Sequence, residues 1–230
     1  MTILLHNLLA RAPRLSDVDA VTKLLIACDI AEAAVSHSTE EDVLCDWQQP
    51  GFNLATDAWV IVTNKGQLVG YASIRDDEHV HIDMQVSVHP SYRSRGIGTL
   101  LLRLAEVRAR QHVKYARPGT RVSLTNAVSS ANQVAKDLLE HEGYTLVSHF
   151  WRIVIDMDEA SLQSLDASQK DSKLKLVLDV SHPCVTGTTR IYEPSGWYIV
   201  RQYDVYEKEL RAGEELVKDE ALGTQLVQCK

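Results

Sequence analysis

The chain is short of cysteine, and its four, Cys28, Cys45, Cys184 and Cys229, are scattered with no Cys-x-x-Cys pair. That scatter argues against a disulfide framework or a cysteine-built zinc site, and fits reduced thiols in a cytoplasmic setting. No histidine cluster stands at metal-ligand spacing along the chain, so no metal is expected. No run reaches the roughly 18 apolar residues that suggest a membrane span. The opening MTILLHNLLARA lacks the basic flank of a secretion signal, and His6 and Asn7 split its apolar run, so none is expected there. Positive charge is also scarce, with 24 Lys and Arg against 31 Asp and Glu and a formal net charge of −7. A surface of that sign disfavours nucleic acid and anionic membranes as partners.

What is present is an ordinary globular composition, 45 % apolar over 230 residues, enough for a sizeable core. A short strand near 8–13 leads into SDVDAVTKLLIACDIAEAA, a helix with Ser16 as a plausible cap and Val18, Val21, Leu25 and Cys28 at helical spacing. STEEDVLCDW begins a second helix, capped by Ser38 or Thr39. The period then changes. AWVIVTN and QLVGYASIR are strands around Lys65-Gly66, a hairpin signal. HVHIDMQVSVH alternates, with Val80, Ile82, Met84, Val86 and Val88 on one face and His79, His81, Asp83, Gln85 and Ser87 on the other. A helix from about 96 to 112, the strand RVSLTNAV, a helix started by Ser129 or Ser130 and stopped by Gly143, and a long strand YTLVSHFWRIVIDMD complete the series. Hairpins followed by a strand-helix-strand crossover give an α+β fold with a mixed, mostly antiparallel twisted sheet flanked by helices.

The chemistry concentrates in HPSYRSRGIGTLLLRLAEV, where Arg93-Ser94-Arg95-Gly96-Ile97-Gly98 opens the third helix. A helix start leaves backbone N–H groups unpaired and carries partial positive charge. Glycines bare the backbone, and the two arginines add phosphate-matching donors. The physics calls for a phosphate or pyrophosphate. The Gly-Lys-Ser/Thr ending of the nucleoside-triphosphate loop is absent, and the Gly-x-Gly-x-x-Gly dinucleotide fingerprint is incomplete.

On these residues the chain resembles the GNAT superfamily of N-acetyltransferases. The signature Arg/Gln-x-x-Gly-x-Gly/Ala matches Arg93 to Gly98, the V-x-P-x-Y-R lead-in matches Val88 to Arg93, and Asn-x-x-Ala-x-x-Leu-Tyr-x-x-x-Gly-Phe matches Asn132 to Tyr144, with departures. The resemblance covers about residues 8–157. It implies acetyl-CoA as co-substrate, its pyrophosphate held by Arg93 and the amides of Ser94, Arg95, Gly96, Ile97 and Gly98, with Thr99 beside them. It implies that the pantetheine arm lies between MQVSV and VSLTN, paired with the backbone around Val86, Ser87 and Val88 and touched by Asn132. The transfer would be direct attack of a primary amine, of a small molecule or a protein, on the thioester. Asp83 is the leading general base, with His81 and Glu78 near it. The family's frequent general-acid tyrosine is Leu139 here, so the enzyme would work without that acid because the coenzyme A thiol is itself acidic, or Tyr144 or Tyr192 would substitute, or the chain would be a catalytically weak CoA-binding or regulatory module.

After a GNAT domain at 1–157, a polar stretch at 158–172 reads as a linker. Residues 173–230 read as strand, short helix, strand and charged tail, which resembles the truncated second unit of a tandem member such as mycothiol synthase. Such a piece cannot bury its own core, so it must dock on the first sheet or on a partner chain, as in a homodimer.

Overall fold

The structure, a computed structural model, describes residues 3–5, 7–33, 36, 38–76, 79–156, 175–183 and 197–215. A hairpin of β1 (Ile3–Leu5) and β2 (Leu8–Arg11) comes first, then α1 (Val18–Ala33) and α2 (Glu40–Trp47). A meander follows, β3 (Ala58–Thr63), β4 (Leu68–Asp76) and β5 (His81–Val88). α3 (Ile97–His112), β6 (Val122–Ser129), α4 (Gln133–His141) and β7 (Thr145–Asp156) alternate after it, and β8 (Lys175–Pro183) and β9 (Trp197–Arg211) close the set. Among the described residues no helix is long and apolar enough to cross a membrane.

Local chemistry explains the helix starts, and at two of them the cap differs from expectation. Before α1 the acceptor is Asp17, whose Oδ2 takes the Arg14 amide at 2.7 Å and the Arg11 guanidinium at 2.7 Å, so Ser16 is not the cap. A carboxylate accepts more strongly than a hydroxyl here, because its charge also meets the positive end of the helix. Thr39 caps α2 reciprocally, its Oγ1 accepting from the Asp42 amide at 3.1 Å while Asp42 accepts from the Thr39 amide at 3.0 Å. α4 starts three residues later than Ser129: Asn132 caps it, its Oδ1 accepting from the Ala135 amide at 3.1 Å. Ser129 and Ser130 belong to the end of β6 and the turn after it, where Ser130 donates to Asp204 at 2.5 Å.

The sheet order is β1-β2-β3-β4-β5-β6-β9-β7-β8. Neighbours are antiparallel except β5 and β6, which run parallel from His81–Ser123 to Met84–Asn126 and pair no further. α1 and α2 cover one face, with Val21, Leu24, Val43 and Trp47 packed toward Val60 and Tyr71. α3 and α4 cover the other, where Leu102, Ala105, Ala109 and Leu139 meet Ile82, Met84 and Leu124. The alternation read from β5 holds: Val80, Ile82 and Met84 are buried and Asp83 and Gln85 exposed. α3 sits so close on β4 that a Cβ at Gly70 would come within 2.9 Å of Ile97 and 3.1 Å of Leu101.

Among the described residues of the C-terminal stretch, β8 and β9 are strands of the same sheet as β1 to β7. β9 is an interior strand of the one sheet, paired with β6 from Val122–Arg211 to Ser129–Tyr203 and with β7 from Thr145–Glu207 to Ile155–Trp197. Without it β6 and β7 would each leave an open edge. Tyr206 of β9 is 1 % exposed within the same core as α3. The linker expected at 158–172, the helix expected between the last two strands, and Tyr192 lie outside the described residues.

Candidate active site

The parting of β5 and β6 after Met84 and Asn126 makes the site. Beyond that point the two strands diverge, with α1 and α2 on one side and the start of α3 on the other, around a cleft of about 660 Å³. Val86, Ser87 and Val88 line it from β5, and Ala127, Val128 and Ser129 from β6. On the opposite edge β5 stays paired to β4, Val86 with Ala72 and Val88 with Gly70, so only the edge toward β6 is open to a ligand.

At the head of the cleft the backbone turns left-handed twice, at Ser94 (φ 59°) and at Gly96 (φ 77°), before α3 begins. Gly96 is the residue before the helix, and no side chain caps that start. The first-turn amides therefore face the cleft with their positive end uncompensated, and no acidic residue sits in that turn. The two glycines serve different ends. A Cβ at Gly96 would meet nothing within 4 Å, so conformation selects glycine there. A Cβ at Gly98 would meet the end of the Leu138 side chain at 2.9 Å, so there glycine lets α4 approach without that side chain shifting.

Arg93, Ser94, Gly96, Gly98, Thr99 and Asn132 all line the cleft. Arg93 donates to Glu32 Oε1 at 2.6 Å and, through Nε, to the Val88 carbonyl at 3.4 Å. Asn132 donates to the same Glu32 oxygen at 2.7 Å. At Arg95 and Ile97 the expected contacts are the backbone amides, and both side chains lie elsewhere. The Arg95 side chain lies over the Tyr92 ring, 4.8 Å from its centroid, and the Ile97 side chain is 3 % exposed in the core, leaving only its amide available.

The catalytic expectations fare differently. Asp83 lies outside the cleft, in a neighbouring recess, where it accepts from the Thr125 hydroxyl at 2.6 Å and stands 3.6 Å from Arg75. His81 meets the Ser123 hydroxyl at 3.3 Å. Tyr144 is a core residue and does not reach the cleft: it is 2 % exposed, under the Lys208 ammonium at 5.2 Å from its ring centroid. Burial pushes its hydroxyl far above the usual phenol range, and among the described residues that hydroxyl has no hydrogen-bond partner. Tyr144→Phe is accordingly expected to leave turnover unchanged and stability equal or raised by up to about 1 kcal/mol. Thermal melts beside a rate assay check this, and a large loss of turnover would return the hydroxyl to the chemistry. Leu139 lines the cleft and is 1 % exposed.

Several cleft residues carried no sequence signal as site residues. Cys28, Asp29 and Glu32 come from α1, Asp42 and Asp46 from α2, and Arg201 and Tyr203 from β9. Burial pushes Cys28 up to about 11, so it is a neutral thiol, donating to the Val88 carbonyl at 3.3 Å. Arg201 donates to Asp29 at 2.5 Å and to the Tyr203 hydroxyl at 3.2 Å. Asp46 is reached by water, yet the surrounding protein desolvates its carboxyl and raises its pKa, with Arg75 opposing and Asp42 reinforcing the rise. Trp47 of α2 is buried and donates to the Tyr71 hydroxyl at 2.9 Å.

A splayed parallel strand pair with an uncapped, glycine-started helix at its head is an anion-binding architecture built for a long, phosphate-bearing ligand. The Acetyltransferase (GNAT) family model matches residues 18–144, more than half of the chain, and the protein belongs to that family. No curated protein matches it in sequence. Among solved structures it is similar to a GCN5-related N-acetyltransferase from Sphaerobacter thermophilus, with a TM-score of 0.79 at 19 % identity over 93 % of this chain and 99 % of that one. It is also similar to an N-acetyltransferase from Staphylococcus aureus Mu50, with a TM-score of 0.55 at 15 % identity over 89 % and 99 % of the two chains. A phosphinothricin acetyltransferase from Sinorhizobium meliloti, solved in complex with acetyl-CoA, gives 0.53 at 13 % identity over 90 % of each chain. At these identities the likeness is one of fold.

Proposed function

We propose that the protein is an N-acetyltransferase that takes acetyl-CoA into the cleft and transfers the acetyl group to a primary amine. The observation that carries this reading is the uncapped start of α3 with Arg93 beside it, opening onto the gap between β5 and β6. The fit is good at each part of the co-substrate. The amides of Ser94 to Thr99 and the Arg93 guanidinium suit a pyrophosphate. The open edge of Val86 to Val88 suits the amide-bearing arm, which can add to β5 in the manner of a strand. Acetyl-CoA supplies the activated carbonyl, and the protein's part is positioning and proton handling.

An amine arrives mostly as its ammonium ion, and the α2 side of the cleft is the wall that suits it, with Asp42 and Asp46 presented there. To attack, the amine must lose a proton. Asp46 is the better candidate for that base than Asp83, because Asp46 faces the cleft and its raised pKa makes it a stronger base. Among the described residues Tyr203 is the tyrosine lining the cleft, and it is the hydroxyl placed to reprotonate a leaving thiolate.

Calorimetry with acetyl-CoA, run beside thiol release over a panel of amines, tests the assignment. Binding together with amine-dependent release is expected. Tight binding with no release on any amine would make the chain a CoA-binding module, and absence of binding would end both readings.

A further inference from the structure

On the α3 side of the sheet, three side chains converge at the end of β4. Asp76 Oδ2 lies 2.7 Å from His79 Nδ1 and 2.6 Å from His112 Nδ1, while Asp76 Oδ1 accepts from the His79 amide at 2.7 Å. His79 holds this pose with φ at 63°, a left-handed backbone uncommon outside glycine. The Asp76 side chain is only 3 % exposed, and among the described residues no lysine or arginine pairs with it. Arg108, on the same helix as His112, is committed to Asp57 at 2.7 Å. A carboxylate this buried needs a positive partner close by.

The second observation concerns His112. Among the described residues its Nε2 is buried without a hydrogen-bond partner, and it lies 4.0 Å from Asp57 Oδ1. Two neutral imidazoles satisfy Asp76 Oδ2 only if both carry their proton on Nδ1. That choice leaves Nε2 of His112 as a buried lone pair directed at a second carboxylate. A cation on Nδ1 reverses the tautomer. The proton then sits on Nε2 and is aimed at Asp57, the carboxylate–histidine–metal relation that orients bound imidazoles.

We propose that Asp76, His79 and His112 form a binding site for a divalent first-row transition ion, Zn²⁺ by donor set, that fastens the end of β4 and the approach to β5 at His79 to the last turn of α3. Two imidazole nitrogens and one carboxylate oxygen suit Zn²⁺ better than Ca²⁺ or Mg²⁺, which favour all-oxygen shells. The three donor atoms lie within 4.8 Å of one another. Tetrahedral ligands about 2.0 to 2.1 Å from zinc stand about 3.4 Å apart, so each ring would back away from the carboxylate oxygen by less than about 1 Å and the two ring nitrogens, within 4.8 Å of each other, would settle at that same spacing. His79 is about half exposed, which leaves a side open for water as fourth ligand. The Tyr115 ring lies 5.5 Å from His79 and 5.9 Å from His112, edge-on to the latter, and shields the pair. No residue is shared with the cleft, so the role is structural and independent of acetyl transfer. Spacing along the chain could not show the site, because 36 residues separate Asp76 from His112.

The test uses the full chain without an affinity tag, stripped with chelator and titrated with Zn²⁺ in a calorimeter, with thermal melts alongside. One equivalent of Zn²⁺ per chain is expected, with a rise in Tm that chelator reverses, and Co²⁺ substitution should give the visible bands of a tetrahedral site. His79→Ala removes a half-exposed ring that the core does not use. It should lower the metal-free Tm only modestly, through the lost bond to Asp76, while weakening Zn²⁺ at least about tenfold and abolishing the rise that Zn²⁺ gives the parent. Failure of the parent to take up stoichiometric Zn²⁺, or uptake unchanged in His79→Ala, overturns the proposal. A parent that ignores Zn²⁺ but gains stability on mild acidification would show a protonated His112 bridging Asp76 and Asp57, and that too overturns it.

Discussion

Arg93→Ala is expected to weaken acetyl-CoA binding by roughly 10- to 100-fold in calorimetry, the loss of one charge-assisted hydrogen bond at about 1.5 to 3 kcal/mol. The effect has two physical sources. The guanidinium leaves the pyrophosphate position, and Glu32, whose side chain is 11 % exposed, loses the cation that neutralises it. An uncompensated carboxylate at the mouth of an anion site repels the phosphate. Glu32→Gln should therefore act in the opposite direction. Glu32 holds both Arg93 and Asn132, so a diphosphate must compete with a carboxylate for the same two donors. Removing that charge is expected to tighten acetyl-CoA severalfold, with a smaller salt dependence than the parent. Gly96→Val adds an independent check, because a β-branched residue at φ 77° is strained even with open space around it. It should lower affinity by reshaping the loop. If Arg93→Ala binds as tightly as the parent, the pyrophosphate assignment fails.

The parts of this protein legible in its sequence are those set within a few residues of one another. The Lys65-Gly66 turn with Gly66 at φ 81°, the alternation of Val80 to Met84, and the arginine-glycine start of α3 each follow from local chemistry. Caps were only half readable, since several polar residues stand near each helix start and the geometry that selects Asp17 over Ser16, or Asn132 over Ser130, depends on where the preceding strand ends. Long-range pairing was not readable at all. A strand at 197–211 looks the same on paper whether it starts a second unit or fills the gap between β6 and β7. The choice is made by the unpaired edges of strands about 50 to 80 residues earlier. The same limit hid Glu32, Asp46, Arg201 and Tyr203, which are ordinary helix or strand residues until α1, α2 and β9 are brought to one cleft. Asp83 had the right strand and a suitable residue type, but it sits in the neighbouring recess.

Asp46→Asn is expected to lower kcat by about 100-fold or more, within the range for loss of a positioned general base, while acetyl-CoA affinity stays near that of the parent. The two effects separate because Asp46 is on α2 whereas the pyrophosphate groups are on the loop before α3. The pH profile carries the sharper test. As a base Asp46 must be ionised, so kcat/KM falls as pH drops through its pKa. Desolvation raises that pKa, so the loss begins at higher pH than for an ordinary aspartate near about 3.9. Arg75 favours the charged form and Asp42 disfavours it. Arg75→Gln should therefore move the acidic limb to higher pH, and Asp42→Asn should move it lower. Asp46→Asn should erase the limb, leaving only the ionisation of the amine itself. Asp83→Asn should leave the limb in place, because Asp83 is occupied by the Thr125 hydroxyl outside the cleft. An acidic limb that persists in Asp46→Asn and vanishes in Asp83→Asn would transfer the base to β5, and one that persists in both would assign proton removal to water or to the amine alone.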